Sequence, residues 1–136
     1  MAEFALLTPT EVAVGSAIPF TTTISPGCCC IRHRTASGNV RVKGGTCCKT
    51  NKYHIQFHGN LTNVTGTITL GIYLDGELLP ETEMNVVAAA PANVLSVDAA
   101  TEIAVDGCVS NISVRNIAGT DLIVETANII IRKEVA

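Results

Sequence analysis

The sequence predicts an all-β chain folded as a two-sheet antiparallel jelly-roll sandwich of about nine to ten strands. Three observations predict it. Apolar and polar residues alternate at period two through most segments. Turn signals built on Gly, Pro, Asn and Asp recur between those segments. No stretch carries the periodicity of an amphipathic helix.

The elements follow in order. Val12, Val14, Ile18, Phe20, Thr22 and Ile24 alternate with small or polar residues and read as the first strand. Pro19 places it at an edge or a bulge, and Pro26-Gly27 ends it. Cys30 to Arg34 and Asn39 to Lys43 form a short hairpin whose turn is Thr35-Ala36-Ser37-Gly38. In the next strand Tyr53, Ile55 and Phe57 occupy one face, and Lys52, His54, Gln56 and His58 the other. After a loop from Asn60 to Gly66, Ile68, Leu70, Ile72 and Leu74 alternate up to Asp75-Gly76. Asp-Gly between apolar runs is a two-residue hairpin signal, because Gly tolerates the positive φ the turn needs. Met84 to Ala90 and Ala92 to Val97 flank Pro91 as two strands. Thr101 to Val105 is another, ending at Asp106-Gly107. Ile112 and Val114 mark the penultimate strand, and Leu122 to Arg132 the last, with Ile123, Val124, Ala127, Ile129, Ile130 and Ile131 as its core.

Composition bounds the function. Hydrophobic residues make up 47% of the 136 residues and charged residues 15%, with no Trp and 4% aromatics. Charged residues usually reach about 25%. Such a chain carries more apolar surface than a small monomer hides, which predicts an oligomer with an apolar interface. A Val/Ile-rich single domain is the alternative. Net charge is −3 and no basic run occurs, which argues against a nucleic-acid partner. Met1 to Leu7 lacks the basic-then-apolar pattern of a Sec signal, and no apolar run nears the roughly 20 residues of a spanning helix. The expectation is a protein made in a cytoplasm, not inserted in a membrane, which leaves by lysis or inside a particle.

The order of features resembles the TNF/C1q-like jelly rolls of bacterial and phage proteins. Val12-Ala13-Val14-Gly15-Ser16-Ala17-Ile18-Pro19-Phe20 resembles their first strand. Ile31-Arg32-His33-Arg34 with Ser37-Gly38-Asn39-Val40-Arg41-Val42 resembles the hairpin that follows. Tyr53 to Phe57, Ile68 to Leu74 with Asp75-Gly76 and Leu79-Pro80, Ile112 to Asn116, and Ile129 to Arg132 continue the match. It covers residues 11 to 132, and its specificity lies in order and spacing rather than in any one motif. The relatives in view are spore-surface glycoprotein heads, phage head fibres and small stand-alone gut-phage proteins. The resemblance implies a homotrimer, with residues 11–136 as the domain and residues 1–10 as a lead-in or anchor replacing a collagen-like stalk. It implies a non-enzymatic structural subunit of a phage virion, decorating the capsid or forming a head fibre. The alternative is a carbohydrate- or receptor-binding head on a spore or cell surface. Partners would be the chain itself, other virion proteins and a host-surface glycan, with no cofactor.

Six cysteines, Cys28, Cys29, Cys30, Cys47, Cys48 and Cys108, depart from that family's pattern. Disulfides within or between protomers, a thiolate metal site and buried thiols remain open. Six thiols allow fifteen pairings, while contiguous cysteines lack the C-x₂₋₄-C spacing of structural zinc. His54 and His58 share a strand face and His33 lies in the earlier hairpin, so the three are candidates for an interface or ion site. The His-x-His-plus-Glu spacing of a cupin is absent, as is a G-x-S-x-G nucleophile elbow. Asp75, Glu77, Glu81 and Glu83 read as a solvated turn rather than a catalytic carboxylate pair. Three Asn-x-Ser/Thr triplets, starting at Asn60, Asn63 and Asn111, reflect turn preference rather than glycosylation.

Overall fold

The strand that reads most clearly in the sequence is also the spine of one sheet. Tyr53, Ile55 and Phe57 are buried, while Lys52, Gln56 and His58 are exposed and His54 half-exposed. The computed structural model describes residues 2–26, 30–33, 37–44, 50–62, 66–88, 95–106, 109–117 and 121–134. Twelve strands are described: β1 (Ala2–Leu6), β2 (Thr10–Val12), β3 (Thr22–Ser25), β4 (Ile31–His33), β5 (Val40–Lys43), β6 (Thr50–Thr62), β7 (Gly66–Leu74), β8 (Glu77–Leu78), β9 (Met84–Ala88), β10 (Leu95–Asp106), β11 (Val109–Asn116) and β12 (Leu122–Lys133). A 3-10 turn, Pro80–Thr82, is the one helical element among them.

They form two antiparallel sheets. Sheet A runs β10-β6-β12-β1-β3, with β2 also on β12. Sheet B runs β4-β5-β11-β7-β8, with β9 also on β7. Phe4, Leu6, Tyr53, Ile55, Phe57, Ile129 and Ile131 of sheet A and Val40, Val42, Ile68, Leu70, Ile72, Ile112 and Val114 of sheet B belong to one core. Fully burying each aliphatic or Phe side chain contributes about 1.5–3 kcal/mol, so the alternation itself drives the stacking of the sheets.

The expected hairpins are present. Ile31 pairs with Val42 and His33 with Val40. At the β7–β8 turn Asp75 has φ 52° and Gly76 φ 85°, both in the left-handed region that a type I′ turn requires. The Asp75 carboxylate accepts the Asn111 backbone N–H at 2.8 Å, which ties the turn to β11.

Four expectations change. Within residues 1–10, Ala2–Leu6 forms β1, which lies inside sheet A between β12 and β3, with Ala2, Phe4 and Leu6 buried. Val12 to Ile24 is not one strand, because the chain leaves sheet A after β2. It crosses beside β11, where Ile18 N–H donates to Val114 at 2.8 Å, and returns as β3. Asn116 holds the crossing: it is fully buried and its amide donates to the Val12 carbonyl at 3.1 Å. The separate strands expected on either side of residue 100 are one, β10. In β12 a bulge between Val124 and Thr126 inserts an extra residue. Parity inverts there, so Leu122, Val124, Ala127, Ile129 and Ile131 are buried while Ile123 and Ile130 are only half-buried.

Candidate functional site

The outer face of sheet A collects more chemistry than any other described surface. Alternation along β6 sends His54, Gln56, His58 and Asn60 outward. The register sets their neighbours. His58 lies between Asp98 of β10 and Asn128 of β12. Gln56 lies between Ala100 and Ile130, and His54 between Glu102 and Arg132. Three strands thus contribute each row, a juxtaposition no local motif announces.

Most polar groups of this face are tied to one another. Ser96 donates to the Asn60 side-chain carbonyl at 2.8 Å, and the Asn60 amide donates to the Thr126 hydroxyl at 2.9 Å. The Asn128 amide donates to the Glu3 carboxylate at 3.1 Å. Thr62 donates to Glu125 at 2.9 Å. His54 Nδ1 lies 3.7 Å from Glu102, with exposures of 32% and 63%, a surface pair worth little on its own.

Two shallow depressions meet at His58 and Asn128. One, of about 360 Å3, has Gln56, Asp98, Ala99, Ala100 and Ile130 as its other exposed or half-exposed walls. The second, of about 350 Å3, reaches Glu3, Ala5, Thr126 and the exposed pair Leu7 and Ile24. Leu7 and Ile24 stand 57% and 52% exposed. The face is therefore a continuous trough with a hydrogen-bonding middle and an apolar flank.

His33 does not join this face. It lies on β4 in sheet B, its ring 4.7 Å from Phe4 and 6.2 Å from Phe20 between centroids. Its Nε2–H donates to the Ser37 carbonyl at 2.8 Å, and its buried Nδ1 has no hydrogen-bond partner among the described residues. The grouping of three histidines thus resolves into a face pair and a packing residue. Of the cysteines, Cys30 is half-buried against the core, 4.0 Å from the Lys133 ammonium. Cys28, Cys29, Cys47, Cys48 and Cys108 lie outside the described residues. Among the described residues no three His, Cys, Asp or Glu side chains gather as metal ligands, and no helix is long and apolar enough to cross a membrane.

Asp98, Glu3 and Asn128 were not read as site residues from the sequence. For Asp98 a signal existed: Ser96, Asp98, Ala100, Glu102 and Ala104 alternate with Val97, Ala99, Thr101, Ile103 and Val105.

No protein-family model matches the chain, and no curated protein matches it in sequence. Solved structures do match its fold. The globular domain of zebrafish complement 1qA aligns over 95% of this chain and 94% of its own, at 11% identity and a TM-score of 0.66. The Eiger TNF of S. frugiperda aligns over 99% of this chain and 91% of its own, at 13% identity and a TM-score of 0.72. The fold is that of the TNF and C1q globular domains. The TNF/C1q-like jelly roll expected from motif order is thus present at sequence identities that carry no more than the path of the chain. A family 35 carbohydrate-binding module from Clostridium thermocellum aligns over 90% of this chain and 98% of its own at 13% identity, but its TM-score of 0.40 supports no argument.

Proposed function

We propose that this chain is a non-enzymatic structural subunit that self-associates as a homotrimer through the outer face of sheet A, and that it decorates a phage capsid or forms a head fibre. The observation that carries the assembly is the trough on that face. Small and apolar side chains, Ala5, Ala100, Ile130, Leu7 and Ile24, lie among polar groups of which Asn60, Ser96, Thr126, Asn128 and Glu3 are already paired within the sheet. Those paired groups lose few hydrogen bonds when water leaves, and burying the face against a copy removes the exposed apolar flank. The low charge of the chain points the same way. The virion setting is supported by the order of motifs shared with phage and bacterial surface modules.

Sedimentation equilibrium tests the assembly. A trimer has about 43 kDa, three times the 14.2 kDa chain, and Ile130→Arg should shift it to the monomer with an unchanged far-UV spectrum. A wild-type mass of one chain at micromolar concentration would overturn the trimer. Mass spectrometry of purified phage particles tests the setting, and absence of the chain from them would overturn it.

A second reading is favoured by the depression where Gln56, His58, Asp98 and Asn128 converge. Amides, an imidazole and a carboxylate around one shallow site suit a hydroxyl-rich ligand, as on a carbohydrate- or receptor-binding head of a spore or cell surface. Glycan-array binding that Asp98→Ala abolishes would support it over the first reading.

A further inference from the structure

Sheet B separates charge between its two edges, away from the trough on sheet A. At one edge the terminal strand, β4, pairs with β5. Ile31, Val40 and Val42 point into the core there, so Arg32, Arg41 and Lys43 point outward, and all three are exposed. The register sets Arg32 directly opposite Arg41. Like charges in that position destabilise a strand pair, and none of the three cations has an ion pair among the described residues to offset the cost. Asp75, across β11 from Arg41, accepts the Asn111 N–H instead. Arg115, on β11, shows the contrast. Its guanidinium carbon lies 5.1 Å from the Tyr73 ring centre, and its Nε–H donates to the Ser113 hydroxyl at 3.3 Å.

The other edge has the opposite sign. β8 and β9 both pair with β7, and the connection between them holds the 3-10 turn. Glu77 on β8, Glu81 in that turn and Glu83 just before β9 are exposed. Glu81 accepts the Thr101 hydroxyl at 3.1 Å, and none of these carboxylates has an ion pair among the described residues. Charges on edge strands ordinarily keep sheets from joining edge to edge. Here two β4–β5 edges repel, two β8–β9 edges repel, and only unlike edges attract.

We propose that the β4–β5 edge of sheet B is a docking surface for the acidic β8–β9 edge of a second copy of this chain. Two different surfaces meet, so the contact repeats from copy to copy. It leaves the outer face of sheet A free, and it links whatever unit that face builds into a ring or an open file. Exposed ion pairs are individually weak and are screened by salt, which makes the association reversible.

Sedimentation velocity of the full chain at neutral pH tests it at two salt concentrations. In about 1 M NaCl, where the Debye length is about 3 Å, the mass is that of the unit built by sheet A alone. In about 10 mM NaCl, where that length is about 30 Å, the mean mass should rise about twofold or more. This salt response needs no variant. Glu77→Lys, Glu81→Lys and Glu83→Lys together should abolish the rise, as should Arg32→Glu, Arg41→Glu and Lys43→Glu together. All six together keep the wild-type net charge, exchange the two edges and should restore it. A wild-type mass that is the same in both salts overturns the proposal. So does a rise that survives either set of three, or a six-fold exchange that keeps the wild-type far-UV spectrum and stays unassociated. Wild type that does not grow at low salt but co-sediments with polyglutamate through Arg32 and Arg41 overturns it in favour of a foreign acidic partner. The high-salt mass reads the trimer and the low-salt growth reads the edges, so either can fail without the other.

Discussion

Replacing Thr82 by Val removes a buried hydroxyl that accepts from the Ile72 N–H and donates to the Leu79 carbonyl at 2.6 Å. β7 pairs with β9 from Gly66 to Leu70 and with β8 at Tyr73 and Leu74, which leaves Ile72 facing the connection between those two partners. The Leu79 N–H serves the Ile72 carbonyl at 2.9 Å, and the Thr82 hydroxyl accepts the Ile72 N–H at 3.0 Å. Thr82 is 1% exposed, so water does not replace that acceptor. Val keeps the branched shape and deletes the hydroxyl. The Ile72 carbonyl keeps its Leu79 donor, and the Leu79 carbonyl keeps the Thr82 N–H at 2.9 Å. One buried donor is therefore orphaned, at about 1–3 kcal/mol. For a chain of this size that lowers the melting temperature by roughly 5–10 °C. Urea unfolding followed by far-UV circular dichroism reads it, at one fixed protomer concentration because assembly shifts apparent stability. Thr82→Ser keeps the oxygen and loses a methyl group, about 0.8 kcal/mol. If Thr82→Val lay within about 0.5 kcal/mol of wild type, a normal surface effect, or if Ser were as damaging as Val, the hydroxyl would not be completing the ladder.

Three further outcomes follow from the same structure. Asn116→Ala should cost about 1–3 kcal/mol and speed hydrogen exchange at Gly15 and Ile18, since the buried amide anchors the crossing to the Val12 carbonyl. Gly76→Ala should cost about 1–2 kcal/mol in urea titrations, because a Cβ is disfavoured at φ 85° while nothing nearby obstructs it. Tyr53→Phe should cost only about 0.5–1.5 kcal/mol by thermal melting, because the Asn51 amide still donates to the same Lys43 carbonyl.

The strands legible in the sequence are those in which alternation runs unbroken. β6 and β7 show their buried faces directly, and Asp75-Gly76 shows the turn after β7. β12 misled because the extra residue at its bulge inverts which positions are buried, so Ile123 and Ile130 look like core and are not. β10 reads as two strands because Asp98, Ala99 and Ala100 are weak strand formers, and only the register with β6 holds them in line. β1 was missed because five residues with no preceding turn signal carry little pattern; their burial comes from β12 and β3. The site was half legible for the same reason. His54, Gln56 and His58 share one strand, but Asp98, Asn128 and Glu3 reach them only through pairings set by the whole fold. His33 looked like their companion on residue type alone, and its sheet places it between two Phe rings instead.

The placement of β1 bears on how the chain is made. Leu6 pairs with Ala127 and Ala2 with Ile131, positions more than 120 residues apart. β1 can meet β3 early in synthesis, but its other neighbour, β12, follows every other described strand. Sheet A can close around β1 only once β12 has been made, and long-range pairing of this sort is slow. During that wait Phe4 and Leu6 stay open to other nascent chains, the hour of greatest risk for clumping.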